Sequence, residues 1–152
     1  MNLVRTLRLS MVVAGAVACR SDSVSGPIPG FTYAAAVSQC GPADGPAVAV
    51  YLAPNPFESV EPSAPYVRVY VPVGLDQLTG HWWPISDGNT EAAAWFHSDG
   101  SNYELASKGY MIVSSVDSNH TIKGSVDIRF PDAGRIKGGF SATWLPHNTL
   151  CP

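Results

Sequence analysis

Residues 120–144 read HTIKGSVDIRFPDAGRIKGGFSATW, and their alternation decides the fold. Ile122, Gly124, Val126, Ile128 and Phe130 alternate with Thr121, Lys123, Ser125, Asp127 and Arg129. That two-residue period suits a strand with one wet face, and no helix can use it. Ile136, Gly138, Phe140, Ala142 and Trp144 repeat the pattern against Arg135, Lys137, Gly139, Ser141 and Thr143. Between the two runs, Pro131, Asp132, Ala133 and Gly134 are turn residues, so an antiparallel hairpin is expected. The apolar residues sit at even numbers in both strands, so facing pairs must have numbers with an even sum. A four-residue loop closed by Phe130 and Arg135 breaks that parity. Gly134 is the residue able to restore it, by taking a left-handed conformation in a bulge. Gly124 and Gly138, on the inward face, are expected to leave room for the rings of Phe140 and Trp144 or to mark a bend.

Upstream, the same period recurs with less regularity. Residues 66–73 place Val67, Val69, Val71 and Val73 inward and Tyr66, Arg68, Tyr70 and Pro72 outward. Residues 47–53 form a strand through Val48, Val50 and Leu52, and residues 31–39 an earlier one diluted by Ala34, Ala35 and Ala36. Pro54, Pro56, Pro62 and Pro65 make the intervening segment an irregular loop, because proline cannot donate to a ladder. Residues 75–85, with Gly80 and Pro84, read as irregular strand or loop. Residues 91–97 and 101–107 flank an Asp99-Gly100 turn that argues for a hairpin, a short helix begun at Ala92, Ala93 and Ala94 being the alternative, marginal at that length. Residues 108–116 return as a strand that leads through Asp117, Ser118 and Asn119 into the final hairpin. Eight or nine short strands and no amphipathic helix predict an all-β fold, an antiparallel β-sandwich or partly closed barrel.

The N-terminus reads as an address. Arg5 and Arg8 precede a short apolar run that ends in Ala16, Val17 and Ala18 before Cys19. This is the layout of a secretory signal, too short in its apolar core to span a bilayer. The sequence Ala16-Val17-Ala18-Cys19 resembles the lipobox of bacterial lipoproteins, although Ala16 stands where leucine is commonest. The resemblance implies cleavage before Cys19 and acylation of that cysteine, with a palmitate-type chain as membrane anchor. Ordinary signal cleavage leaving a free Cys19 is the alternative. Arg20 follows, and by the same resemblance the absence of aspartate there favours the outer membrane over the inner. The expected organisation is a signal peptide over residues 1–18, a lipid-modified Cys19 with a Ser-, Gly- and Pro-rich tether over 19–30, and one β-domain over 31–152. The layout also resembles small secreted bacterial β-domain lipoproteins of unknown function.

Removing residues 1–18 takes away Arg5 and Arg8 and no acid, so the formal charge of −3 becomes −5. With that balance and no basic cluster, neither nucleic acid nor anionic lipid is an expected partner, and attachment to a membrane is assigned to lipid at Cys19 rather than to surface charge. If Cys19 is acylated, Cys40 and Cys151 remain as a pair whose disulfide would tie the first strand to the C-terminus. In the chain-entropy view a loop of that length stabilises by about 4 to 5 kcal/mol. Two unrelated buried thiols are the other reading.

No catalytic motif is present: no Gly-x-Ser-x-Gly, His-Glu-x-x-His or phosphate-binding glycine loop. His81, His97, His120 and His147 stand singly, without the spacing of a zinc site. Asp87, Asn89 and Glu91 place oxygens at alternate positions but lack the later acids of a calcium loop, and Glu58 and Glu61 read as solvated loop charges. No cofactor is expected. Trp82 and Trp83, with Trp95 and Tyr103 on the neighbouring hairpin, are the candidate ligand-binding residues, since aromatic faces stack on sugars and anchor partners. Adjacent strand residues point to opposite faces, so one of Trp82 and Trp83 is expected in the core. The leading expectation is a non-enzymatic envelope lipoprotein with a binding or structural role toward a protein or glycan. A carbohydrate-binding module comes second and a secreted hydrolase third.

Overall fold

The computed structural model describes residues 29–41, 44–88 and 91–146. The strands are β1 (Tyr33–Cys40), β2 (Pro46–Ala53), β3 (Tyr66–Val71), β4 (Trp82–Ser86), β5 (Ala93–His97), β6 (Tyr103–Leu105), β7 (Lys108–Val116), β8 (Ile122–Phe130) and β9 (Gly134–Trp144). One 3-10 turn, Leu75–Gln77, precedes β4, and no α-helix occurs among the described residues. The nine strands form a single mixed sheet in the order β4-β7-β8-β9-β1-β2-β3-β5-β6, curled into a half-barrel. The all-β, partly closed architecture is therefore as the sequence predicts.

The final hairpin settles the parity question. Phe130 faces Gly134, Ile128 faces Ile136, Gly124 faces Phe140 and Ile122 faces Ala142, so every facing pair has an even sum. The loop is three residues rather than four. Gly134 itself enters the ladder with φ of 82°, a conformation that costs glycine nothing. Glu104 of β6 accepts hydrogen bonds from the backbone amides of Asp132 and of Ala133, the latter at 3.0 Å, and so fastens this turn to the far edge of the sheet. At the Asp99-Gly100 turn the Asp99 carboxylate accepts from the Asn102 side-chain amide (2.7 Å) and from the backbone amides of Ser101 (2.9 Å) and Asn102 (2.8 Å), which holds it well below the usual carboxylate range.

Two features depart from the sequence reading. β1 pairs with β9 in parallel, Ala35 opposite Thr143 and Ala36 opposite Trp144, so the sheet is not wholly antiparallel. This pairing joins two antiparallel groups, β4-β7-β8-β9 and β1-β2-β3-β5-β6, through strands from opposite ends of the domain. The segment read as irregular near Trp82 contains a true strand: β4 pairs with β7 along the edge of the sheet, where Pro84 is tolerated.

The concave side holds the main core. Val48, Val50, Leu52, Val67 and Val69 from one half meet Met111, Ile122, Val126, Ile128 and Phe130 from the other. The rings of Phe96 and Phe130, 6.0 Å apart, join the halves. β2 is buried from Ala47 to Ala53 without a break, because its convex side is covered as well. There Val37, Ala49, Tyr51, Ala53 and Tyr66 form a second cluster beneath Phe57, Val60 and Ala64 of the proline-rich loop. Tyr66, expected to face water, is consequently only 5 % exposed. Alternation in β3 identified its two faces correctly. It carried no information about the loop that roofs one of them.

Candidate functional site

β3, β5 and β6 lie side by side at one end of the sheet, and their register places five polar or aromatic side chains together on the convex face. Arg68 faces Trp95, Tyr66 faces His97, and His97 faces Tyr103. The Arg68 guanidinium carbon lies 5.4 Å from the centre of the Trp95 ring, in reach of a cation–π interaction. Tyr70 meets Trp95 edge-on at 6.5 Å, His97 stacks on Tyr66 at 4.3 Å, and Tyr103 lies 5.8 Å from His97. Arg68, Trp95, His97 and Tyr103 line an open cleft of about 260 Å³. Tyr103, 65 % exposed, forms its outer lip.

A line of hydrogen bonds holds the floor. Arg68 Nη2 donates to Gln39 Oε1 at 2.5 Å, Gln39 Nε2 donates to the Tyr51 hydroxyl at 3.2 Å, and the Tyr66 hydroxyl donates to Glu61 Oε1 at 2.5 Å. Glu61 is therefore more than a solvated loop charge: it ties the proline-rich loop to the sheet. Arg68 Nε and the Tyr70 hydroxyl are buried and make no hydrogen bond among the described residues. Arg68 also makes no ion pair there, so a guanidinium that is always charged stands without a carboxylate.

Burial pushes the His97 imidazole down from its ordinary value, Arg68 adds to the shift, and Glu61 opposes it. The ring is neutral at pH 7. Burial likewise raises the phenols of Tyr51, Tyr66 and Tyr70, which stay protonated. The cleft thus offers one fixed positive charge, a neutral imidazole, the Tyr103 hydroxyl and an aromatic wall. Its volume is below the roughly 300 to 1,000 Å³ of typical small-molecule pockets and suits one ring or side chain of a larger ligand.

Of the four aromatic candidates from the sequence, the structure brings two together, Trp95 and Tyr103. Trp82 lies on the convex face of the other half, 59 % exposed, with its ring 5.7 Å from that of Tyr110. Trp83 turns inward against the main core, and its indole N–H donates to the Leu78 carbonyl at 3.3 Å. One tryptophan of the pair is thus a packing residue, as the strand period requires. The sequence reading missed Arg68, His97 and Tyr70. The signal was available in Tyr66-Val67-Arg68-Val69-Tyr70, a strand whose outward set is aromatic, arginine, aromatic.

No group of three or more His, Cys, Asp or Glu residues suited to a metal occurs among the described residues. His147 and Asn89 of the earlier candidates lie outside them, as do Cys19 and Cys151. Cys40 ends β1 and is half-buried. Compared with family models, with curated proteins and with solved structures, the chain matches none.

Proposed function

We propose that the chain is a non-enzymatic binding module of the bacterial cell envelope, anchored by lipid at Cys19 and carried on the tether of residues 19–30. The outer membrane is its proposed site, on the strength of Arg20 after the cysteine. The observation that carries the binding reading is the convergence of Arg68, Trp95, His97 and Tyr103 on one open cleft. Aromatic rings gathered beside an arginine without a carboxylate are where binding energy concentrates. Trp95→Ala should weaken capture of the ligand from envelope extract by about tenfold or more, with the melting temperature little changed. Undiminished capture by Trp95→Ala and Tyr103→Ala would remove the cleft from consideration.

A carbohydrate ligand is the second reading, favoured by the Trp95 and Tyr103 rings, since sugars stack on aromatic faces. Retention on neutral glycan resins that is lost in Trp95→Ala would select it. Retention on protein baits alone would reject it.

The anchor is tested separately. Non-reduced peptide mapping should return an acylated Cys19 together with Cys40 and Cys151 in one cross-linked peptide, and Cys19→Ser should move the protein from the membrane to the soluble fraction. Membrane attachment that survives Cys19→Ser would defeat the lipid reading, and quantitative alkylation of Cys40 and Cys151 without reduction would defeat the disulfide.

A further inference from the structure

The basic residues are dispersed in sequence, yet folding gathers five of them on one surface. β7, β8 and β9 turn Lys108, Lys123, Arg129, Arg135 and Lys137 to the convex side of the second half of the sheet. This corrects the expectation that the chain has no basic cluster. Lys108 faces Arg129, and Arg129 faces Arg135, so three cations stand in one cross-strand row. Like charges placed directly opposite one another oppose pairing, so the row is not explained by stability.

Asp127 is the one carboxylate those three strands place among the cations. It accepts from Arg135 Nε at 2.7 Å and Nη2 at 2.5 Å, and lies 3.7 Å from Lys137 Nζ. Lys108 and Arg129 make no ion pair among the described residues. A groove of about 250 Å³ opens between Lys108, Tyr110, Arg129 and Arg135.

Apolar groups stand on the same face, two rows along from the Lys108–Arg129–Arg135 row. Trp82 faces Ile112 across the β4–β7 ladder, and the two are 59 % and 37 % exposed. Tyr110, one row nearer the cations, faces Asp127. The whole chain carries a net charge of −3, so the positive charge is segregated to this face against the overall balance.

We propose that this face rests on an anionic phospholipid surface. Lys108, Arg129 and Arg135 meet headgroup phosphates, with Lys123 and Lys137 at the flanks, while Trp82 and Ile112 enter the headgroup boundary. Tryptophan favours that boundary, and cations beside it add attraction to anionic lipid. The exposed isoleucine decides between the two polyanions the charge could serve. A soluble polyanionic chain gains nothing from Ile112, whereas a lipid interface buries it. The face is separate from the Arg68 cleft, and its test replaces Cys19, so this inference stands or falls apart from the proposed function.

The test uses the full chain carrying Cys19→Ser, with vesicles of phosphatidylcholine alone or mixed with phosphatidylglycerol. Residues 1–28 are common to every variant, so differences between variants report the face. Cosedimentation should favour the anionic vesicles and weaken with added salt. Each Lys or Arg near such a surface strengthens binding about fivefold, so Lys108→Gln with Arg129→Gln should lower the affinity for anionic vesicles by at least about tenfold. The double variant should melt at the same temperature as the parent or higher, because facing like charges have been removed. If it melts lower, Lys108→Gln with Lys123→Gln reads the same preference. Trp82→Ala and Ile112→Ser should each weaken binding to anionic vesicles. Equal binding to the two vesicle types, or an anionic preference retained in the charge variants, would overturn the proposal. So would retention on dextran sulfate that needs the cations but is indifferent to Trp82→Ala and Ile112→Ser, without binding to vesicles.

Discussion

Ile128→Asp should abolish the fold. Ile128 is 0 % exposed, faces Ile136 on one side and Gly109 on the other, and belongs to the main core. An aspartate there has no cationic partner on the concave side among the described core residues, and burying an unpaired carboxylate costs several kcal/mol, comparable with the roughly 5 to 15 kcal/mol that holds a domain together. The neighbouring position makes the contrast. Asp127 points the other way, into an exposed ion pair with Arg135, and such pairs contribute about 0.2 to 1 kcal/mol. Asp127→Asn should therefore shift the melting midpoint only slightly.

The Arg135 hydrogen bonds hold the Asp127 carboxyl below its ordinary range. Its contribution is accordingly present above the ordinary aspartate pKa and is lost as pH falls through the lower folded value. Asp127→Asn should remove that acid-side loss and leave behaviour at neutral pH nearly unchanged. Melting of the two variants by circular dichroism decides the matter. A cooperative transition for Ile128→Asp within a few degrees of that for Asp127→Asn would mean that the inward face is wrongly assigned.

Gly124→Ala should also be strongly damaging, although it adds one carbon. A Cβ at Gly124 would collide with the Ile112 backbone carbonyl and stand 2.8 Å from Phe140 Cζ. Replacing glycine in a strand ordinarily stabilises by about 0.4 to 1 kcal/mol through the unfolded chain. Overpacking a filled core costs about 1 to 3 kcal/mol, and here half of the obstruction is backbone that cannot rotate away, so the net effect is destabilising. Phe140→Leu removes the ring but leaves the carbonyl. The double variant Gly124→Ala with Phe140→Leu should thus be more stable than the sum of the single effects predicts, yet less stable than Phe140→Leu alone. Urea midpoints for the four proteins measure this. Strict additivity would show that the ring and the missing side chain do not share space.

The final hairpin was legible because its two strands have one dry face and one wet face, and the backbone period writes that difference into neighbouring residues. Ile122, Val126, Ile128 and Phe130 are buried as their spacing requires, and Gly134 takes the conformation that the parity of the register demanded. The inward valines of β3 were legible for the same reason, and the Asp99-Gly100 turn from its turn residues. In each case the information is local, carried by residues a few positions apart.

Contacts between distant parts of the chain decided the rest. Alternation in β3 could not show that the proline-rich loop covers Tyr66, nor could alanines in β1 show that the strand joins β9 in parallel. Arg68, Trp95 and Tyr103 come together only because β3, β5 and β6 are neighbours in the sheet. Trp82 is separated from them because β4 pairs with β7 instead. Lys108, Arg129 and Arg135 look unremarkable in the sequence, and become a row only when three strands align. The sequence by itself determined where the well-patterned strands run and which side of each is dry, because the two-residue period is a property of the backbone. Tertiary structure alone decided strand order, the roofing of one convex face, and the assembly of both surface sites. Those depend on pairing energies between residues far apart, which exist only once the intervening loops have closed.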